Sequence, residues 1–273
     1  MKLTGAQIVV KMLEKQGIKT VSGIPGGSIL PLYDELNKSS IRHILVRQEQ
    51  AAGFIAQGMA RTSGKAAVCL ATSGPGAMNL LTAIADARSD SIPLVAITGQ
   101  VNTYLIGTDA FQEADTFGLS FPITKHSIAV KKPEELLTAI PQAFAIAQEG
   151  RPGPVLIDIP RDVQLAQCEV ENFPDYEDFC VKEENVRFHT KKEEIQNIVE
   201  KMALELAQAK KPVLYIGGGC NSPAAAKALR EFKKNYRLPV VTSLMALGAI
   251  PKTDSDNAGM VGMHGSYPAN VAM

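Results

Sequence analysis

Short apolar runs alternate along this chain with longer stretches whose apolar positions recur at helical spacing. The first stretch, "TGAQIVVKMLEKQG", predicts a helix with both ends marked: Thr4 and Gln7 stand at capping-box spacing, and Gly17 suits the C-terminal stop. Ile8, Val9, Met12 and Leu13 give it one apolar face. After it, "KTVSGI", "RHILV", "AAVCLAT" and "IPLVAIT" read as strands, while "SILPLYDELN", "EQAAGFIAQGMAR" and "GAMNLLTAIADAR" read as helices. Residues 68–71 and 94–98 are apolar without alternation, the mark of parallel strands covered on both faces. "PEELLTAIPQAFAIAQEG" adds a helix and "RPGPVLIDIP" a further strand. The pattern predicts an α/β fold, a doubly wound and mostly parallel sheet, over residues 1–164.

Residues 165–189 carry acidic and aromatic side chains with no clear period and read as an interdomain linker. A second α/β pattern opens at residue 190, with helices in "KKEEIQNIVEKMALELAQA" and "PAAAKALREFKKNY" and strands in "PVLYIGGG" and "LPVVTSLMALG". That is about two strands, fewer than a stable parallel sheet has. Residues 190–273 are therefore expected to be the N-terminal part of an incomplete second domain.

Composition narrows the range of partners. Lys+Arg and Asp+Glu balance at 28 each, so no basic patch for nucleic acid is expected. No apolar run reaches the roughly 18 residues of a membrane span, and the N-terminus lacks the marks of a signal peptide. Cys69, Cys168, Cys180 and Cys220 lie far apart without a CxxC pair. This argues against a zinc site or a disulfide framework and points to a reducing cytoplasm.

Candidate chemistry gathers at three glycine-rich turns that follow apolar runs: "GIPGGS", "TSGPGAMN" and "YIGGGCNS". Backbone N–H groups in such turns can approach a ligand closely, and the helix that follows favours an anion. None is a full dinucleotide fingerprint, because Asn79 holds the third glycine position of "GPGAMN", and none is a P-loop. Singly, each reads as a tight strand-to-helix turn. All three, however, fall at the carboxyl ends of the expected parallel strands, where open α/β sheets place their sites. Glu49, in "RQEQAAGFIAQGMAR", stands where a strand gives way to a helix. Read locally, it is a carboxylate favoured by the helix dipole by about 0.3–1 kcal/mol. Yet Ala51, Ala52, Gly53, Ala56, Gly58 and Ala60 follow it, and the two glycines cost helix propensity. Small residues let a second helix or a flat ligand approach, and a carboxylate buried there needs a partner.

"GIPGGSILPLYDEL", "RQEQAAGFIAQGMAR", "ATSGPGAMNLLTAIADA", "IGTDAFQEAD", "GRPGPVLIDIPRDVQ", "KPVLYIGGG", "LMALG" and "GMVGMHG" occur in order and at ordinary spacing. In this combination the chain resembles the catalytic large subunit of acetolactate (acetohydroxyacid) synthases, within the thiamine diphosphate-dependent enzymes. The resemblance takes in nearly the whole chain but only the first half or so of such a protein. It implies a pyrimidine-binding domain over residues 1–164 and the opening of a central, FAD-associated domain over residues 190–273. Glu49 then corresponds to the glutamate that hydrogen-bonds the aminopyrimidine ring and so promotes proton loss from the thiazolium carbon. By the same resemblance Gly26 and Gly27 line the cofactor and substrate pocket, and Gly74, Pro75 and Asn79 lie near the pyrimidine. Phe111 and Gln112 match the substrate channel, with Gln112 placed to hydrogen-bond a carboxylate or an intermediate. Arg151, Gly217, Gly218, Gly219, Leu244 and the turn Met263-His264-Gly265 match positions that contact FAD.

The implied activity is condensation of two pyruvates to 2-acetolactate with release of CO2, or of pyruvate with 2-ketobutyrate, in branched-chain amino-acid biosynthesis. The implied assembly is a cytoplasmic homodimer or homotetramer with a small regulatory subunit. In that family a Gly-Asp-Gly run and a later Asn hold the diphosphate through Mg2+; this sequence has neither. The magnesium ligands are thus expected outside this chain, which by itself is expected to be inactive. Asn102 and Arg161 stand where relatives often carry other residues. Two alternatives remain open: another thiamine diphosphate-dependent carboligase, decarboxylase or oxidase, and a non-catalytic, self-associating fragment. Glu49 argues against glyoxylate carboligase, which carries an apolar residue there.

Overall fold

Thr4 opens the first helix as its spacing predicts: its Oγ1 accepts from the Gln7 N–H at 3.2 Å, and the Gln7 side chain accepts from the Thr4 N–H at 3.0 Å. The helix stops at Gly17, whose φ of +76° suits a residue without a Cβ, and the Ile18 N–H returns to the Leu13 carbonyl. The computed structural model describes residues 1–180 and 192–273. They fall into two compact units, Met1–Val186 and Arg187–Met273.

In the first unit the chain runs through β1 (Lys2–Thr4), α1 (Gly5–Lys15), β2 (Thr20–Gly23), α2 (Leu30–Leu36), β3 (Arg42–Leu45), α3 (Glu49–Ser63), β4 (Ala67–Ala71) and α4 (Pro75–Asp90). It continues through β5 (Leu94–Gln100), α5 (Thr116–Ser120), β6 (His126–Ala129), α6 (Leu136–Gln148), β7 (Pro154–Pro160), α7 (Arg161–Leu165) and β8 (Gln167–Glu169). Six of these strands form one parallel sheet in the order β3-β2-β4-β5-β7-β6. β4, β5 and β7 are buried along their whole length. Val68, Leu70, Val95, Ile97, Val155 and Ile157 share a core with Ile8, Met12 and Leu13 of α1 and Ile140 and Phe144 of α6. Their neighbours Cys69, Ala71, Leu94, Ala96 and Leu156 share another with Ala52 and Ala56 of α3 and Leu80 and Ile84 of α4. Burial on both faces is why these strands carry no polar alternation.

Part of the expected linker is not a free connector. β8 pairs antiparallel with β1, Leu3 facing Cys168. Beyond it Val170 is buried, Phe173 and Tyr176 pack on the first core, and Lys15 meets Asp175 at 3.2 Å. A three-residue strand is too short to show a period, so the pattern alone does not reveal it. Residues 181–189 of that linker lie outside the described residues.

The second unit contains α8 (Lys192–Gln208), β9 (Leu214–Ile216), α9 (Pro223–Tyr236), β10 (Val240–Thr242), β11 (Asn257–Met260) and α10 (Tyr267–Ala272). Its three strands are parallel in the order β11-β10-β9. β11 is additional to the two expected strands. Its sequence, "NAGM", has a glycine at φ +99°, and its register against β10 shifts between Val240 and Val241.

The contact that shapes the first unit's carboxyl edge lies between α3 and α4. A Cβ added to Gly53 would stand 2.5 Å from the Ala83 Cβ, whereas one added to Gly58 would meet nothing within 4 Å. Gln57 Nε2 donates to the Ala83 carbonyl at 2.8 Å, and Arg61 pairs with Asp90 at 2.5 Å. Gly53→Ala is expected to lower the unfolding free energy by about 1–3 kcal/mol through overpacking. Gly58→Ala should raise it by about 1 kcal/mol through helix propensity. Urea unfolding followed by circular dichroism tests the pair, and equal stabilities would contradict this account of the helix contact.

Candidate active site

Four loops meet at the carboxyl edge of the six-stranded sheet. After β3, Gln48 caps α3 by accepting from the Ala51 N–H at 3.1 Å. Glu49 is the first residue of that helix and is half-buried. Its Oε2 accepts from Asn79 Nδ2 at 2.9 Å, and its Oε1 accepts no hydrogen bond among the described residues. A Cβ on Gly76 would lie 3.4 Å from that Oε1, so the carboxylate rests against the first turn of α4. One oxygen is held and the other is available to a ligand N–H.

After β4, α4 starts at Gly74 with φ +56°, a conformation that L side chains rarely adopt. A Cβ there would also sit 2.6 Å from the Gln112 carbonyl, so this glycine seats the loop that follows β5. Pro75 occupies the first turn, where a missing N–H costs nothing. After β2, Gly26 packs against Thr72, where a Cβ would come within 2.5 Å of the threonine's own Cβ. Ser28 then bonds Ser73 through their hydroxyls at 2.8 Å and donates its N–H to Thr72 Oγ1 at 3.2 Å. Gly27 is exposed, with open space beside it. Phe111 is 89% exposed, and Gln112 is half-buried in a left-handed conformation, φ +59°. The structure therefore brings Gly26, Glu49, Gly74, Pro75, Asn79 and Gln112 to one edge.

Beneath these loops lies a set of polar residues to which sequence reasoning assigned no role. Asp158, buried near the end of β7, accepts from Thr98 Oγ1 at 2.6 Å and Gln100 Nε2 at 3.0 Å. The same Nε2 donates to the Ala114 carbonyl at 2.9 Å, and Gln100 Oε1 accepts from the Val101 N–H at 2.9 Å. Asp162 accepts from the Thr103 N–H at 3.0 Å and its hydroxyl at 2.5 Å. Gln164 Nε2 donates to the Ser28 carbonyl at 2.8 Å. Burial pushes the Asp158 carboxyl up to about 7, against the pull of its two hydrogen bonds and with some help from Asp115. A readable signal was there: one carboxylate inside the apolar run "VLIDIP".

Arg151 is not brought to Glu49. Its Nε donates to Ser91 Oγ at 2.7 Å and its Nη2 to the Ser89 carbonyl at 3.2 Å, so it closes the far end of α4. A helix of 16 residues separates that end from Gly74 by about 24 Å. In the second unit Gly217, Gly218 and Gly219 follow β9, Leu244 follows β10, and Met263, His264 and Gly265 follow β11, all at one sheet edge. Gly217 and Gly219 adjoin open space, and Leu244 and Met263 are 66% and 94% exposed. Among the described residues no group of three or more His, Cys, Asp or Glu is placed to hold a metal, and no helix is long and apolar enough to cross a membrane.

Residues 3–119 match the N-terminal TPP binding domain of thiamine pyrophosphate enzymes, and residues 199–273 match their central domain. The chain belongs to the thiamine pyrophosphate enzyme family. Within it, the chain is similar to acetolactate synthase large subunits. It is 55% identical to the isozyme 1 large subunit of Escherichia coli K12, over 100% of this chain and 47% of that protein. It is 48% identical to the acetolactate synthase of Mycobacterium bovis, over 100% of this chain and 43% of the relative. It is 45% identical to a probable large subunit of Methanocaldococcus jannaschii, over 99% and 45%. The chain thus spans less than half the length of the curated relatives it matches.

The raised Asp158 carboxyl makes stability depend on pH with a definite sign. A group whose folded pKa stands above its unfolded value of 3.8 contributes fully below that value, and the contribution is lost as pH rises towards about 7. Asp158→Asn removes the titration. The stability of the wild type relative to this variant should fall by about 1.4 kcal/mol per pH unit across that window and level off above it. Thermal or urea unfolding of both proteins from acid to neutral pH measures this, and a flat difference would refute the buried, proton-holding carboxyl.

Proposed function

We propose that this chain is the N-terminal part of an acetolactate synthase, which condenses two pyruvates to 2-acetolactate with release of CO2 and also accepts 2-ketobutyrate as the second substrate. The observation that carries the reading is the Glu49 carboxylate, held through one oxygen by Asn79 and free at the other. Bound thiamine diphosphate supplies a thiazolium carbon that becomes a nucleophile towards 2-keto acids once its proton is lost. Glu49 holds a proton on the pyrimidine nitrogen, and a carboxylate is the side chain suited to that task because it accepts a charge-assisted hydrogen bond from a ring N–H. Asn79 fixes the carboxylate's orientation, and Gly76 leaves the first turn of α4 bare beside it. Gln112 presents an amide to the substrate's carboxylate, and Phe111 an apolar wall. The expected domain bounds, residues 1–164 for pyrimidine binding and 190–273 for the start of the FAD-associated domain, belong to the same reading.

FAD fits the second unit's strand edge, where Gly217, Gly218, Gly219, Leu244, Met263, His264 and Gly265 follow three parallel strands and open space adjoins Gly217 and Gly219. By the resemblance to acetolactate synthases Arg151 meets a flavin phosphate or ribityl oxygen. Mg2+ has its ligands in the remainder of the protein. A cytoplasmic homodimer or homotetramer completes the site, and the relatives' designation as large subunits supports a small regulatory partner.

Carboligation of pyruvate by the full-length protein with thiamine diphosphate, Mg2+ and FAD tests the role of Glu49. Glu49→Gln should reduce acetolactate formation by at least about 10²-fold. Activity within about threefold of wild type would rule out the proton-holding role. The chain described here should form no acetolactate by itself, and turnover would contradict its reading as a part.

A further inference from the structure

We infer that Asp158, acting through Gln100, is a positioning residue for the loop that carries Phe111 and Gln112. What this loop would touch rests on the function proposed above; its anchoring rests on the structure. Residues 101–115 connect β5 to α5 and contain three left-handed residues, Gly107 at φ +80°, Asp109 at +55° and Gln112 at +59°. Two of these have side chains, and a side chain in that conformation is disfavoured unless its surroundings hold it.

Both ends of the loop meet at one amide. Gln100 Oε1 takes the Val101 N–H at the start, and Gln100 Nε2 gives to the Ala114 carbonyl near the close. That arrangement works in one orientation of the amide, since a flip would set donor against donor and acceptor against acceptor. Asp158 selects the orientation: its Oδ2 accepts from the Nε2 end at 3.0 Å, while Thr98 Oγ1 donates to its Oδ1 at 2.6 Å. Among the described residues no ion pair involves Asp158, and Asp115, at the end of the same loop, adds to the upward push of burial on its carboxyl. A polar group buried this deep is costly unless it is hydrogen-bonded, and the bonds of this carboxyl run to Thr98 and Gln100. Asp162 adds a second hold at Thr103. Between the holds, the Gln112 carbonyl is pressed onto Gly74. The order of events in space is therefore Asp158, Gln100, loop ends, Gln112, Gly74.

Hydrogen exchange of the chain, read by mass spectrometry, tests the anchor without substrate or cofactor. In Asp158→Leu the amides of residues 101–115 should exchange about tenfold faster, with β4 and β5 unchanged within about twofold. Asp158→Asn should restore wild-type protection, because its Oδ1 accepts from Gln100 Nε2 while its Nδ2 donates to Thr98 Oγ1. Gln100→Met removes the same anchor from the other side, keeps the carboxylate, and should loosen the same residues if Asp158→Leu does not fold. Unchanged loop exchange in a folded Asp158→Leu or Gln100→Met protein would overturn the inference, as would an Asn variant as loose as the Leu variant. An unaltered Glu49→Gln activity alongside the expected exchange pattern would remove the proposed chemistry and leave the anchor standing.

Discussion

Gly53 lies against Ala83, and the first unit's site depends on that approach. No Cβ fits at this position, so α3 and α4 can run side by side in one register. The register shows in three pairs with nearly the same sequence offset: Glu49 with Asn79, Gly53 with Ala83, and Arg61 with Asp90. A side chain at Gly53 would separate the helices, and Asn79 could no longer hold Glu49 at 2.9 Å. The geometry of the carboxylate is thus a consequence of helix packing one turn further along.

A second constraint governs the loops. The turn from β7 into α7, "IDIPRDVQ", contributes three side chains that hold them: Asp158 and Asp162 for the loop after β5, and Gln164 for the loop after β2. Loops at the end of a parallel sheet have no ladder of their own, so their polar groups must be satisfied by neighbouring side chains or water. Here the neighbours are β7 and the first turns of α7. This strand buries apolar residues at both faces for most of its length and then turns polar where the loops arrive.

Much of this was legible in the chain. Thr4, Gln7 and Gly17 specified α1 from both ends, and continuous apolar runs identified β4, β5 and β7, because both signals are local and repeat a known geometry. The strands β1, β8 and β11 were not legible: each is only three or four residues long, β1 and β8 pair across most of the first unit, and β11 is interrupted by a left-handed glycine. The glycines showed the same divide. Gly53 and Gly58 look alike in sequence, yet one fills a helix contact and the other stands in open space. Glu49 could be singled out, but which of its oxygens is held depends on Asn79, thirty residues on. Arg151 was singled out only by resemblance, and its bonds to Ser89 and Ser91 at the C-terminal end of α4 left no mark in the pattern.

The central proposal is that the unoccupied oxygen of Glu49 receives a hydrogen bond from a ring nitrogen. A crystal structure of the full-length protein with thiamine diphosphate bound tests that claim most directly. The account predicts Glu49 Oε1 within about 2.6–3.2 Å of a pyrimidine nitrogen, with Asn79 still on Oε2. A pyrimidine ring bound away from Glu49, or a Glu49 side chain turned from it towards solvent, would contradict it.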